Sequence, residues 1–192
     1  KSESLEGVDA VMTNLRRVCI GVSTADCIPI LLYDAAHHAC CAVHSGWRGT
    51  VKRIAQKAVQ AMASAYGSVP QQLQAVIGPG ISLESFEVGD EVYDLFAEAG
   101  FPMEKLAKRY PLMHSDTPHG SSSPSSAEGS GEKVFRWHID LWECNRLQLV
   151  EKGVNPDNIH VAGIDTYQNY DRFYSARRKF NRRIINGIMI KH

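Results

Sequence analysis

The sequence predicts a single α/β (α+β) domain, residues 1–192, with a mixed β-sheet flanked by helices. Length is the first reason: 192 residues divided by about 150 per domain gives roughly one. Composition is the second, since 44% apolar and 22% charged residues is ordinary globular usage, and a chain of this size buries enough surface for a core without staples. The third is the order of hydrophobic periods. Short β-branched runs open and close the chain, helical periods lie between them, and no internal repeat is visible.

The elements follow in order. Val8 to Met12, Val18 to Val22, Ile28 to Tyr33 and Ala39 to Val43 are Val/Ile/Cys-rich runs punctuated by turn residues, which predicts four strands. Pro29 in the third run predicts a strand start or a sheet edge, because proline cannot donate to the ladder. The period then changes. Val51, Ile54, Ala55, Ala58, Val59 and Met62 recur at helical spacing, which predicts a helix capped by Thr50 and ended near Gly67. Leu73 to Ile77 reads as a strand closed by Gly78-Pro79-Gly80, and Val88 to Ala99 as a helix stopped by Gly100. Asp140 to Lys152 is a further helix, with Asp140 as N-cap, Glu143 three residues on and Gly153 just past the end. Ile159 to Ile164 and Ile184 to Ile190 are closing strands. Asp116 to Gly131, rich in Ser, Gly and Pro, is expected to be a flexible surface insertion within the domain.

Charge and cysteine usage narrow the function classes. Lys plus Arg is 21 and Asp plus Glu is 21, so there is no electrostatic footprint for nucleic acid or an anionic membrane. No apolar run reaches the ~20 residues that span a bilayer. Five cysteines, an odd number without the spacing of a small secreted scaffold, point to a reducing cytoplasmic setting. The chain opens Lys1-Ser2-Glu3-Ser4 without a Met, as expected of a fragment lacking an N-terminal part.

Chemistry concentrates in Thr24-Ala25-Asp26-Cys27-Ile28-Pro29 and Ala42-Val43-His44-Ser45-Gly46-Trp47-Arg48-Gly49-Thr50. If the two strands pair as an antiparallel hairpin, Cys27 and His44 come to the same sheet end. A thiolate and an imidazole there can hold zinc or form a nucleophile–base pair. They are equally compatible with a small buried thiol and a hydrogen-bonded core histidine. Gly46 to Thr50 runs into a helix start, where Arg48 and the backbone of Gly49 suit a phosphate. Gly78 and Gly80 form a second strand-end loop where backbone can approach a ligand. Asp26 beside Cys27 suits a proton carrier or an outer-shell carboxylate. His138, at the start of its helix, and Arg172 are further candidates for substrate and phosphate. Arg177 and Arg178 read more readily as a charged edge, and Cys19, Cys40, Cys41 and Cys144 are expected in the core.

TADCIPILLYD, AVHSGWRGT, VIGPGI, FEVGDEV, HIDLWECNRLQLVEKGV and YDRFYSARR, in that order, resemble the zinc-dependent purine nucleoside phosphorylase family, also described as the multicopper polyphenol oxidoreductase (laccase) domain family. The resemblance covers most of Gly7 to Ile190. It implies a zinc held by two histidines and one cysteine. Cys27 and His44 match two of these, and the third, a histidine, is expected upstream of Lys1. At Asp165 the family commonly carries a cysteine.

The resemblance implies purine nucleosides and phosphate as substrates, with phosphorylase, adenosine deaminase and methylthioadenosine phosphorylase activities. A site with three protein ligands and one open position is catalytic in kind and can activate water for attack on the purine ring. Asp26 and Arg48 are the expected catalytic residues; Arg48, Gly49, Gly78, Gly80, His138 and Arg172 are expected at phosphate or substrate. Copper is the alternative metal. A copper-dependent polyphenol oxidase is the alternative enzyme, although a trinuclear copper cluster needs more histidines than the pattern offers. A non-enzymatic zinc-stabilised binding module is the third reading, and the absence of CxxC pairs counts against it.

Overall fold

The computed structural model describes residues 7–111 and 135–191. The four opening runs form β1 (Ala10–Thr13), β2 (Cys19–Thr24), β3 (Ile28–Asp34) and β4 (Ala39–Ser45). With β5 (Gln74–Ile77) and β9 (Ile159–Val161), three of them make a five-stranded sheet ordered β1-β4-β3-β5-β9. Only the β5–β9 pair is parallel, so the sheet is mixed. β2 pairs with β10 (Ile184–Met189) as a separate two-stranded ribbon.

β3 and β4 read as continuous apolar runs because both of their faces are covered. Helix α1 (Trp47–Val51) leads into α2 (Ile54–Tyr66), whose buried stripe Ala55, Ala58, Val59 and Met62 packs on β4 from one side. The β2–β10 ribbon covers β4 from the other. Ile28, Ile30, Leu32 and Met62 are fully buried, and truncating such a side chain to Ala costs about 2–5 kcal/mol. Helices α3 (Asp90–Glu98), α4 (Met103–Leu106) and α5 (Leu141–Glu151) add Phe96, Met103, Leu106, Leu141, Cys144 and Leu149 to the same core. A second sheet, ordered β6-β8-β7, comprises β6 (Glu87–Val88), β7 (Ala107–Pro111) and β8 (Phe135–Ile139).

Several local expectations hold. Asp140 caps α5, its Oδ1 accepting from Glu143 N at 2.9 Å, and Gly67 ends α2 in a left-handed conformation, φ 73°, which a residue without Cβ adopts freely.

Others do not. The helix expected from Val51 is two helices: it starts earlier, at Trp47, and breaks at Arg53, which takes φ 59°. Arg53 holds that turn by donating to Ala99 O at 2.8 Å and to Glu151 Oε2 at 3.0 Å. Thr50 is therefore no N-cap; it is fully buried inside α1 and its hydroxyl donates back to Gly46 O at 3.0 Å. Pro29 lies in the central strand, not at an edge, but at its second position. Its carbonyl accepts from Gly78 N at 2.9 Å, so only the reciprocal bond beyond the end of β5 is forgone. Val88 belongs to β6, opposite Trp137, so α3 begins at Asp90. Cys19 is exposed rather than core, because it faces outward on the ribbon. The expected insertion, 116–131, lies outside the described residues.

Candidate functional site

The antiparallel register of β3 and β4 sets Ile28 opposite Ser45 and Pro29 opposite His44. Cys27, one residue before β3, consequently meets Gly46, one residue after β4. A Cβ built on Gly46 would stand 3.2 Å from Cys27 Sγ and 3.8 Å from His44 Nε2. The missing side chain thus leaves a small cradle between a thiol and an imidazole nitrogen. The other ring nitrogen, Nδ1, lies 2.9 Å from Asp9 Oδ1. Cys27 beside the ring, partly opposed by burial and reinforced by Asp9, pushes the His44 imidazole up to about 9.

Alternation along β4 turns the next residue to the opposite face. Ser45, fully buried, donates to Asn145 Oδ1 at 2.8 Å and meets Thr50 Oγ1 at 3.0 Å. Asn145 donates to Leu141 O at 2.8 Å, and Gln148 Nε2 to Thr50 O at 3.1 Å. These contacts tie the end of β4 and helix α1 to α5.

Asp26 has a left-handed backbone, φ 75°, which Asp tolerates better than most residues. Its buried carboxylate accepts from Thr166 Oγ1 at 2.8 Å, Ser175 Oγ at 2.9 Å and Arg177 N at 2.9 Å, and its carbonyl accepts from Ile81 N at 2.8 Å. The side chain expected to carry protons is engaged at both oxygens and binds the 165–178 segment to the Cys27 corner. Asp165 works similarly: it accepts from the Ser82 hydroxyl at 2.7 Å, from the Ser85 hydroxyl, and from Tyr167 N at 2.8 Å. A cysteine could not accept this many bonds, so the departure at position 165 is matched by a local hydrogen-bond cluster.

The remaining candidates are placed as follows. Arg48 is exposed, its guanidinium stacked over the Trp47 ring at 4.1 Å. Gly49 lies inside α1, where a Cβ would contact Ile54 at 3.4 Å. The open sides of Gly78 and Gly80 are filled by protein: a Cβ would stand 2.9 Å from Pro29 Cγ and 2.5 Å from Ile28 Cδ1, respectively. Both glycines serve close packing on β3, in place of the expected ligand approach. His138 lies on β8 rather than in the helix; it is buried and its Nδ1 bonds Leu83 O at 3.0 Å. Arg172 is exposed in the 165–178 segment, 6.0 Å from the Phe173 ring. Among the described residues no third His, Cys, Asp or Glu joins Cys27 and His44 as a metal-binding group.

Sequence reasoning missed Asp9, Ser175 and the buried Asn145. The available signal for Asn145 was its place on α5, at i+4 from Leu141 and i−4 from Leu149, in line with two core leucines.

Fold and site together define a mixed α/β domain that presents a Cys–His pair at the open end of a β-hairpin. A profile of the family described as "Multi-copper polyphenol oxidoreductase laccase" matches residues 1–191, and the chain belongs to that family. A purine nucleoside phosphorylase of Bacteroides thetaiotaomicron is 41% identical over 192 residues, covering 99% of this chain and 63% of that protein. Adenosine deaminase RL5, from an unknown prokaryotic organism, is 39% identical, covering 91% of this chain and 58% of its own length. Among solved structures, YlmD from Geobacillus stearothermophilus superposes with a TM-score of 0.76 at 28% identity, over 97% of this chain and 62% of that one. The chain thus spans about three fifths of the length of these relatives. Among its described residues no helix is long and apolar enough to cross a membrane.

Proposed function

We propose that this domain is the nucleoside-processing part of a zinc-dependent purine nucleoside phosphorylase that also deaminates adenosine and cleaves methylthioadenosine. The observation that carries the proposal is the cradle at Gly46, where Cys27 Sγ and His44 Nε2 converge, in a chain whose relatives are named for these activities. The residues fit zinc: a thiolate and an imidazole are preferred ligands, and the space between them is what a Cβ would fill. Cys27 and His44 would hold the ion together with a histidine outside the described residues. Bound there, zinc supplies Lewis-acid polarisation. Copper is the alternative occupant, since the same donors bind it readily.

The chain's own residues then have definite tasks. Arg48, exposed and steadied by the Trp47 ring, offers a guanidinium to phosphate. In phosphorolysis the C1′–N9 bond of the nucleoside breaks and a phosphate oxygen bonds C1′. The electron pair goes to the purine, which takes up a proton. In deamination, water adds at C6 and ammonia leaves. Asp26 acts as the anchor of the 165–178 segment that walls the site, its carboxylate already saturated by three donors. Gly78 and Gly80 back the Cys27 corner by close packing on β3, and Gly49 lets α1 pack against Ile54. His138, bonded to the 80–88 loop at Leu83 O, and Arg172, exposed within the 165–178 segment, are assigned to the substrate side of that wall. The setting is cytoplasmic, consistent with free thiols at all five cysteines.

Incubation of the full-length protein, upstream segment included, with inosine and inorganic phosphate is the test. Hypoxanthine and ribose 1-phosphate appearing only with phosphate, and inosine from adenosine without it, are the expected results. Zinc binding with no turnover of any purine nucleoside would overturn the enzyme reading in favour of a binding module.

A further inference from the structure

We propose that Asp9 is the positioning residue of the site: it fixes the His44 ring so that Nε2, and not Nδ1, faces Cys27. This rests on the zinc reading above and assigns a role that no sequence motif suggested. Two contacts carry it. His44 N donates to Asp9 O at 2.7 Å, which continues the β1–β4 register by one residue, and His44 Nδ1 meets Asp9 Oδ1 at 2.9 Å. Backbone and side chain of one residue are thereby held by backbone and side chain of the other.

A carboxylate accepts only from an N–H, so the pairing keeps a proton on Nδ1 in either charge state of the ring and makes Nε2 the nitrogen that gives up its proton to offer a lone pair. That is the nitrogen 3.8 Å from the position a Gly46 Cβ would take, with Cys27 Sγ on the other side at 3.2 Å. An imidazole free to turn about χ2 would present either nitrogen or a ring carbon to the cradle. Outer-shell acceptors of this kind orient metal-binding histidines elsewhere and are worth about 10–100-fold in affinity. Stability is not the reason for the pair: Asp9 is 55% and His44 32% exposed, and ion pairs this open to solvent add little to folding. β1 is an edge strand of the five-stranded sheet, so its placement on β4 delivers Asp9 to the site.

The experiment uses the full-length protein, with the upstream segment expected to carry the third histidine, as Asp9→Ala and Asp9→Asn, reading Zn2+ affinity by competition with a chromophoric chelator. Asp9→Ala should bind zinc about 10–100-fold more weakly. Asp9→Asn, which keeps an oxygen to accept from Nδ1–H, should stay within about threefold of the unmodified chain. Equal affinity in Asp9→Ala, or a loss in Asp9→Asn as large as in Asp9→Ala, overturns the positioning role. A second readout needs no metal: the His44 Nδ1–H proton, observed by NMR in the metal-free chain, should be shielded from exchange and lose that protection in Asp9→Ala. If the unmodified full-length protein, upstream segment included, binds no zinc at all, the metal reading fails, and the NMR result alone decides the role of Asp9. Protection that persists in Asp9→Ala refutes it.

Discussion

His44 and Ser45 are neighbours on one strand, yet they belong to two different kinds of polar cluster. Ser45 faces inward, where Thr50, Asn145 and Gln148 are all fully buried and bonded to one another or to backbone; within those four side chains only Gln148 Oε1 lacks a partner. His44 faces the open side, where Cys27 and the vacant side of Gly46 leave a thiol and a ring nitrogen available. A closed network rigidifies because leaving a buried donor unmade is expensive. An open cluster can take a ligand because Cys27 and the Nε2 side of His44 face a cradle and no buried network has to be broken. One strand end supplies both, and the pleat alone separates them.

Five substitutions sharpen or break this contrast. The largest effect belongs to the open side. Cys27→Ala and His44→Ala should each reduce nucleoside turnover by about three orders of magnitude or more and remove most bound zinc, with thermal unfolding little changed. Near-normal steady-state rates in either would dissolve the distinction. On the closed side, Asn145→Ala should cost about 2–4 kcal/mol, since it breaks bonds to Ser45 and Leu141 O and strands their partners. Calorimetry should show the melting temperature lower by about 5–15 °C, with zinc affinity kept at low temperature. An unchanged melting temperature would mean that the buried network contributes nothing.

Arg48→Ala comes next. It should raise the phosphate KM about tenfold while leaving adenosine deamination within about twofold, because only phosphorolysis needs the anion. Equal loss in both reactions would place Arg48 in the general architecture. The smallest effect is expected at the Asp26 anchor. Thr166→Val removes one of three donors and should cost about 1–2 kcal/mol, readable as a shift in urea midpoint with unchanged slope. Thiol titration checks the same division without mutation: Cys19 and Cys27 should react in the native chain, while Cys40, Cys41 and Cys144 should wait for unfolding. Burial pushes the Cys41 thiol up to about 12 and the Cys144 thiol up as well.

What the sequence made legible was local. The hairpin was readable because IPILL and ACCAV are apolar on both sides of a short turn, and α5 because Asp140, Glu143 and Gly153 mark its ends. The pair Cys27 and His44 followed from the hairpin. Asp9 was invisible, since its partner lies 35 residues away and only the β1–β4 register joins them. The break between α1 and α2 was hidden for a related reason: Val51 and Ile54 keep helical spacing across it, and what holds Arg53 left-handed is Ala99 and Glu151. The β6-β8-β7 sheet was missed because its strands are short and their sequences mixed, so pairing partners define them more than pattern does.

The anchor at Asp26 also sets an order in time. Its carboxylate bonds residues 140, 149 and 151 positions further along the chain. At synthesis rates of about 5–20 residues per second, Asp26 leaves the ribosome roughly 10–30 s before Arg177 does. The β3–β4 hairpin needs only nearby residues and can close early. The corner carrying Cys27 cannot be fixed until nearly the whole of this sequence has emerged, so in the nascent chain the Cys27–His44 pair is present well before the segment that Asp26 anchors.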